Sequence, residues 1–346
     1  MTPSRDLVHR DQPTHTGEHA RNGAGRVDNG SSPTLARRYN GLLEAIGHTP
    51  LVELRHLSPR PEVHLWAKLE GHNPTGSLKD RIARAMVERA EQRGELRPGH
   101  VILESTSGNT GISLALVGKL KGYRVKVVMP ENVSPERREL LEAYGAEVVL
   151  CDGSQGTNGA IDVARAIGRD PIYYMPYQYG NEANPQAHYE TTGAEILQAL
   201  PKVDVFIAGL GTGGTLMGVG RRLREHNPSV KVIAVEPHPG ELVQGLRSLD
   251  DGFIPPIVDL SRLDGKVLVR ARDAFLGTRR LMDEEGVFAG ISSGSVLQGA
   301  LRMAQRIERG NIVLLLADGG WKYLSTRLWD QPIEALEQGL DSKVWW

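Results

Sequence analysis

Short apolar runs alternating with longer amphipathic stretches constrain this chain more than any other feature. Residues 101–103, 125–129, 147–151, 203–208, 230–236 and 312–317 read as strands. Between them, 112–120, 135–144, 158–167, 216–226 and 275–285 carry helical patterning, with Pro135 at one helix start and Gly145 at its stop. Strands separated by helices at this spacing predict an α/β fold of largely parallel sheets covered by helices. A chain of 346 residues is long enough for two such lobes. The segment 173–185 is crowded with Tyr, Asn and Pro and predicts a crossing between them, giving one domain over 39–183 and a second over 184–330. Residues 1–38 carry few large apolar side chains and are expected to form a disordered arm, while 331–346 form a carboxy-terminal tail.

Composition narrows the functional classes. With 41 basic and 42 acidic residues the net charge is -1, so no global field draws the chain to nucleic acid or to an anionic membrane. Arginine pairs such as Arg137–Arg138, Arg221–Arg222 and Arg279–Arg280 sit in helical patterns and read as solvated helix faces. No apolar run approaches the ~20 residues of a spanning helix, and the amino terminus lacks a secretory apolar core. A cytoplasmic location is expected. Cys151 is the only cysteine and the 11 histidines are dispersed, so neither a disulfide framework nor a metal site is expected.

In parallel sheets the functional loops follow the carboxyl ends of strands, which selects 105–111, 209–215 and 318–320. Upstream of these, Asn73-Pro74-Thr75-Gly76-Ser77-Leu78-Lys79-Asp80 places a lysine where a helix begins. The positive end of a helix disfavours an ammonium, so Lys79 loses its proton more readily, as imine formation with an aldehyde requires. Ser105-Thr106-Ser107-Gly108-Asn109-Thr110-Gly111 offers hydroxyls, a carboxamide and backbone N–H groups that suit a carboxylate. Gly209-Leu210-Gly211-Thr212-Gly213-Gly214-Thr215 lets backbone approach a phosphate. This last loop also satisfies G-x-G-x-x-G, and Glu236 lies at a distance suited to a ribose, so a dinucleotide site is a rival reading. A dinucleotide leaves the lysine turn and the hydroxyl loop without a role, whereas a phosphate-bearing aldehyde uses all three.

The stretches 47–54, 73–80, 104–111, 208–218, 284–295 and 317–326 occur in the order that resembles the cysteine synthase family of fold-type II pyridoxal-phosphate enzymes. The resemblance runs from about residue 39 to 326 and implies a tryptophan synthase β-like fold, two open α/β domains with the active site between them. Segments 177–184, 246–255 and 318–326, with a tail ending in tryptophan, are most similar to the mycobacterial O-phosphoserine-dependent branch, cysteine synthase M. It implies pyridoxal 5′-phosphate linked to Lys79, which also acts as the base at Cα. Asn109 would face the cofactor's 3′ oxygen, Gly211, Thr212, Gly213, Gly214 and Thr215 would cradle its phosphate, and Ser292 would face the ring nitrogen. Thr106, Ser107 and Thr110 would hold the substrate carboxylate, and Arg247 the phosphoryl group.

The implied reaction is β-replacement on O-phospho-L-serine through an aminoacrylate, with a thiocarboxylated sulfur-carrier protein or sulfide as donor and a homodimer as the working unit. O-acetylserine as substrate, cystathionine β-synthase or dehydratase chemistry, and a non-catalytic partner-binding scaffold remain alternatives. The tail 340–346, ending in Trp345-Trp346, is expected to act as an active-site lid.

Overall fold

The structure, a computed structural model, describes residues 37–106, 108–153, 156–332 and 334, with backbone alone at 156–158 and 251. The chain divides into Met1–Arg38 and Tyr39–Trp346, and the fold lies in the second unit. The expectations for the arm and for the 340–346 tail therefore fall outside the described residues, apart from Arg37 and Arg38.

In chain order the elements begin with β1 (Leu51–Glu53), β2 (Val63–Leu69), α1 (Lys79–Arg93), β3 (Val101–Ser105), α2 (Asn109–Lys121) and β4 (Arg124–Pro130). They continue with α3 (Pro135–Ala143), β5 (Glu147–Cys151), α4 (Gly156–Ile167), β6 (Tyr173–Tyr174), α5 (Ala183–Ala187) and α6 (Gly193–Ala199). The last are β7 (Val205–Gly209), α7 (Gly214–His226), β8 (Lys231–Pro237), β9 (Gly265–Val269), α8 (Ala271–Glu285), α9 (Ile291–Ala304) and β10 (Gly310–Leu316). The expected strands and helices all appear, with ends shifted by a few residues. A π-helical turn, His188–Thr192, runs α5 into α6.

Two sheets result. Six strands lie in the order β1-β2-β10-β7-β8-β9 and four in the order β5-β4-β3-β6. Every pairing is parallel except β1 with β2. Strands buried on both faces need an apolar layer on each side. Ile207, Val235 and Leu314 face Leu281 and Leu297 across one layer, while Phe206, Val232 and Val313 face Leu216 and Val219 across the other. The smaller sheet repeats this, with Ile102 and Val127 on one side and Leu103 and Val128 on the other. The expected division after residue 183 does not separate the sheets cleanly. β1 and β2 belong to the large sheet because β2 pairs with β10 over seven residues, from Val63↔Gly310 to Leu69↔Leu316.

α1 is anchored beneath its first turn by buried charge. The Arg81 guanidinium donates to Glu70 (Nε to Oε2 2.7 Å, Nη2 to Oε1 2.8 Å) and to Glu195 (Nη1 to Oε1 2.7 Å, Nη2 to Oε2 2.8 Å). Lys68 Nζ adds a 2.6 Å bond to Glu195 and the Thr49 hydroxyl a 2.6 Å bond to Glu70. Burial alone would raise the Glu195 carboxyl. Arg81 and Lys68 outweigh it and hold the group down at about 2.

Candidate active site

The turn leading into α1 is stitched to the chain leaving β10. Leu78 N–H donates to Ala317 O (2.9 Å) and Gly319 N–H to Gly76 O (3.1 Å). Within the turn, Gly76 takes φ 77°, a left-handed conformation that glycine adopts without strain. Asp80 accepts from Thr75 N–H (2.7 Å), the Thr75 hydroxyl (2.5 Å) and the Ser113 hydroxyl (2.6 Å). Lys79 is thus fixed at the carboxyl edge of the large sheet. Its amine keeps an open face on a cavity, but desolvation by the surrounding protein lowers its pKa from 10.5 to about 8, with Asp318 pulling the other way. In cofactor-free protein, the rate of pyridoxal phosphate capture should therefore rise about tenfold per pH unit and level off near 8, as the neutral amine becomes the major form. Stopped-flow absorbance checks this, and a break near 10.5 would contradict it.

The other expected residues converge on the same space. Lys79, Thr106, Asn109, Thr110, Gly211, Thr212, Arg247 and Ser292 all line one cavity of about 400 Å³. Gly213 and Thr215 line a smaller recess that shares Lys79, Gly211, Thr212 and Ser292 with it. Gly214 opens α7 just behind. Ser107 lies outside the described residues.

The third loop has the shape of an anion cradle. Gly213 sits at φ 84°, and a Cβ there would run into Val258. A Cβ at Gly214 would occupy the position of the Asn184 carboxamide, whose Nδ2 donates to Thr212 Oγ1 (2.9 Å) and to Gln178 O (3.0 Å). The bare backbone precedes a 13-residue helix, so its N–H groups and the helix dipole face the recess. The Thr215 hydroxyl lies 3.3 Å from His188 Nε2, and the ring's Nδ1 lies 3.0 Å from Thr192 Oγ1. Burial pushes His188 down to about 3, so it is neutral at pH 7. Ser292, 5% exposed, stands in the first turn of α9 without capping it and turns to the cavity.

Among the further wall residues, Arg137, Gln178, Gln244, Asp318 and Tyr323 carry polar groups to which the sequence assigned no individual site role. Gln178 accepts from the Thr110 hydroxyl at 2.7 Å, and its signal lay in the Tyr/Asn/Pro-rich crossing. Asp318 follows a strand end, the position flagged for functional loops. Arg137 corrects an expectation. It does not lie on a solvated face but is 4% exposed, donates to Gln244 Oε1 (3.0 Å), and sits 5.3 Å from the Tyr323 ring centroid. α3 turns this residue inward and leaves its neighbour Arg138 outside, paired with Glu142 at 2.8 Å. Glu236 also departs from the dinucleotide reading. It is wholly buried, does not line the cavity, and accepts from Leu249 N–H (3.1 Å) with Lys266 at 3.5 Å.

An amine poised for an aldehyde, a glycine cradle for a phosphate, and a hydroxyl loop between them fit pyridoxal phosphate, on sheets of the fold-type II kind. The chain belongs to the pyridoxal-phosphate dependent enzyme family, whose model matches residues 42–318, and to the cysteine synthases within it. Cysteine synthase B of Salmonella typhimurium is 42% identical over 301 residues, covering 87% of this chain and 99% of the relative. The crystal structure of cysteine synthase (OASS) from Entamoeba histolytica superposes with TM-score 0.81 at 36% identity, covering 90% and 98% of the two chains. O-acetyl serine sulfhydrylase isoform 3 of the same organism gives 0.79 at 35%, covering 91% and 98%. The cofactor is pyridoxal phosphate. Among the described residues no helix is long and apolar enough to cross a membrane.

Proposed function

We propose that this enzyme makes L-cysteine from O-phospho-L-serine by β-replacement, taking sulfur from a thiocarboxylated carrier protein or from sulfide, and works as a homodimer in the cytoplasm. The observation that carries the choice of substrate is Arg247, a cation in the wall of the cavity that holds Lys79. Its backbone N–H bonds Leu210 O (2.7 Å), next to the glycine loop, and its guanidinium lies 5.2 Å from the Tyr179 ring and 5.0 Å from that of Phe253. A guanidinium held between aromatic faces presents its planar edge to a dianion and offers two charge-assisted bonds. An acetyl group offers no charge to meet it.

Bound pyridoxal phosphate supplies the electron sink that lets bonds at Cα and Cβ break. Lys79 would hold the cofactor and then, with its lowered pKa, take the proton from Cα and return it. Thr106 and Thr110 would orient the substrate carboxylate, with Gln178 holding the Thr110 hydroxyl in place. Ser292, a neutral hydroxyl in the cavity wall, would face the ring nitrogen and so favour elimination over transamination.

O-acetyl-L-serine is the second reading, favoured by the likeness to O-acetyl serine sulfhydrylase isoform 3. Comparing kcat/KM for cysteine formation from each ester separates them. Wild type should prefer O-phosphoserine, and Arg247→Ala should lower that preference by about tenfold or more, the worth of a charge-assisted bond. Preference for O-acetylserine, unchanged in Arg247→Ala, would decide for the second reading.

A further inference from the structure

Behind Asn109 lies a charged side chain that the reaction as described does not use. Lys322, in the 3-10 turn Gly320–Thr326, is 0% exposed and does not line the cavity. Its Nζ donates to Asn109 Oδ1 at 2.6 Å. On the other side Asn109 Nδ2 donates to Asp318 Oδ2 at 2.6 Å, an oxygen that also accepts from the Tyr323 hydroxyl at 2.6 Å. Burial pushes Lys322 down to about 8 while Asp318 and Asp80 hold it up, leaving it charged at neutral pH.

Burying an ammonium costs free energy that an apolar chain of the same length does not. Here the charge has a defined consequence. The lysine ammonium can only donate, and Asp318 Oδ2 accepts from both Asn109 and Tyr323, so the carboxamide is fixed from both ends and cannot flip. One Nδ2–H goes to Asp318, and the other is the group Asn109 retains for a ligand in the cavity. An ammonium on Oδ1 also draws electron density from the amide nitrogen and strengthens its N–H as a donor.

We propose that Lys322 is a positioning residue: through Asn109 it locks and polarises the one N–H that meets the ionised 3′ oxygen of the cofactor. This rests on the pyridoxal-phosphate reading of the cavity and assigns Lys322 and Asp318 a role in it.

The test measures dissociation constants of full-length protein, stripped of cofactor, for pyridoxal phosphate and for 3-deoxypyridoxal phosphate. Wild type should prefer the first by about tenfold or more. Lys322→Met should lose most of that preference by weakening pyridoxal phosphate alone, with the 3-deoxy analogue bound as in wild type, and Lys322→Arg should keep most of it. A merely structural role would weaken both ligands equally, and that result overturns the proposal. If Lys322→Met does not fold, Asn109→Ala carries the test, since it should abolish the same preference, and retention of the preference there overturns the proposal equally. Wild type that binds neither ligand refutes the cofactor reading itself. Wild type that binds both alike refutes only the role of the Lys322–Asn109 pair.

Discussion

Lys79→Ala is expected to lower turnover by at least about 10³-fold while the protein stays folded and still binds pyridoxal phosphate without a covalent link. In the proposed mechanism the substitution removes both the amine that captures the aldehyde and the base at Cα. The glycine loop, Thr212 and Thr215 do not depend on it. Asp318, the charged neighbour that most affects the Lys79 amine, cannot serve as the nucleophile. Lys322 is a second buried amine, but its Nζ is held on Asn109 Oδ1. Turnover with either serine ester and cofactor affinity by equilibrium dialysis read the two effects separately. Retained turnover would remove Lys79 from the chemistry.

The largest effect on stability should come from Arg81→Met. Glu70 is 0% exposed, and with Arg81 gone it and Glu195 lose the guanidinium that neutralises them. Breaking a buried pair by removing one partner costs about 3–5 kcal/mol, because the remaining charge is buried unpaired. Urea unfolding at pH 7 measures this, and adding Glu70→Gln should restore part of the loss. The pH dependence has a definite sign. Glu195 is held at about 2 against 4.5 when unfolded. Its contribution is therefore complete above 4.5 and falls away as pH drops toward 2 in wild type, and Arg81→Met should weaken that dependence, with Lys68 alone left to hold the Glu195 carboxyl down. A loss below about 1 kcal/mol would mean that the network does not hold α1.

The alternation of apolar runs made the parallel sheets legible, and the rule that loops at strand ends carry function picked out three segments that the fold brings to one cavity. What escaped the sequence depends on contacts between distant segments. β1 and β9 are short and partly exposed, and β2 joins the rest of the large sheet through β10, which lies some 240 residues on. Arg137 looked like half of a surface pair because helical patterning gives the period of a helix but not which face the neighbouring lobe covers. Glu236 has the spacing of a ribose ligand, yet β8 buries it beside Leu249. The Lys322–Asn109–Asp318 chain joins residues more than 200 positions apart and has no local signal.

We propose that pyridoxal phosphate is carried on Lys79, in the cavity lined by the loops that follow β3, β7 and β10. Borohydride reduction of the purified holoprotein, followed by proteolysis and mass spectrometry of the peptides, tests it most directly. One pyridoxyl adduct is expected, on the peptide containing Lys79, with loss of the visible absorption band, and no adduct at Lys322 or Lys68. An adduct on any other lysine, or a protein that carries no reducible cofactor after incubation with pyridoxal phosphate, would contradict it.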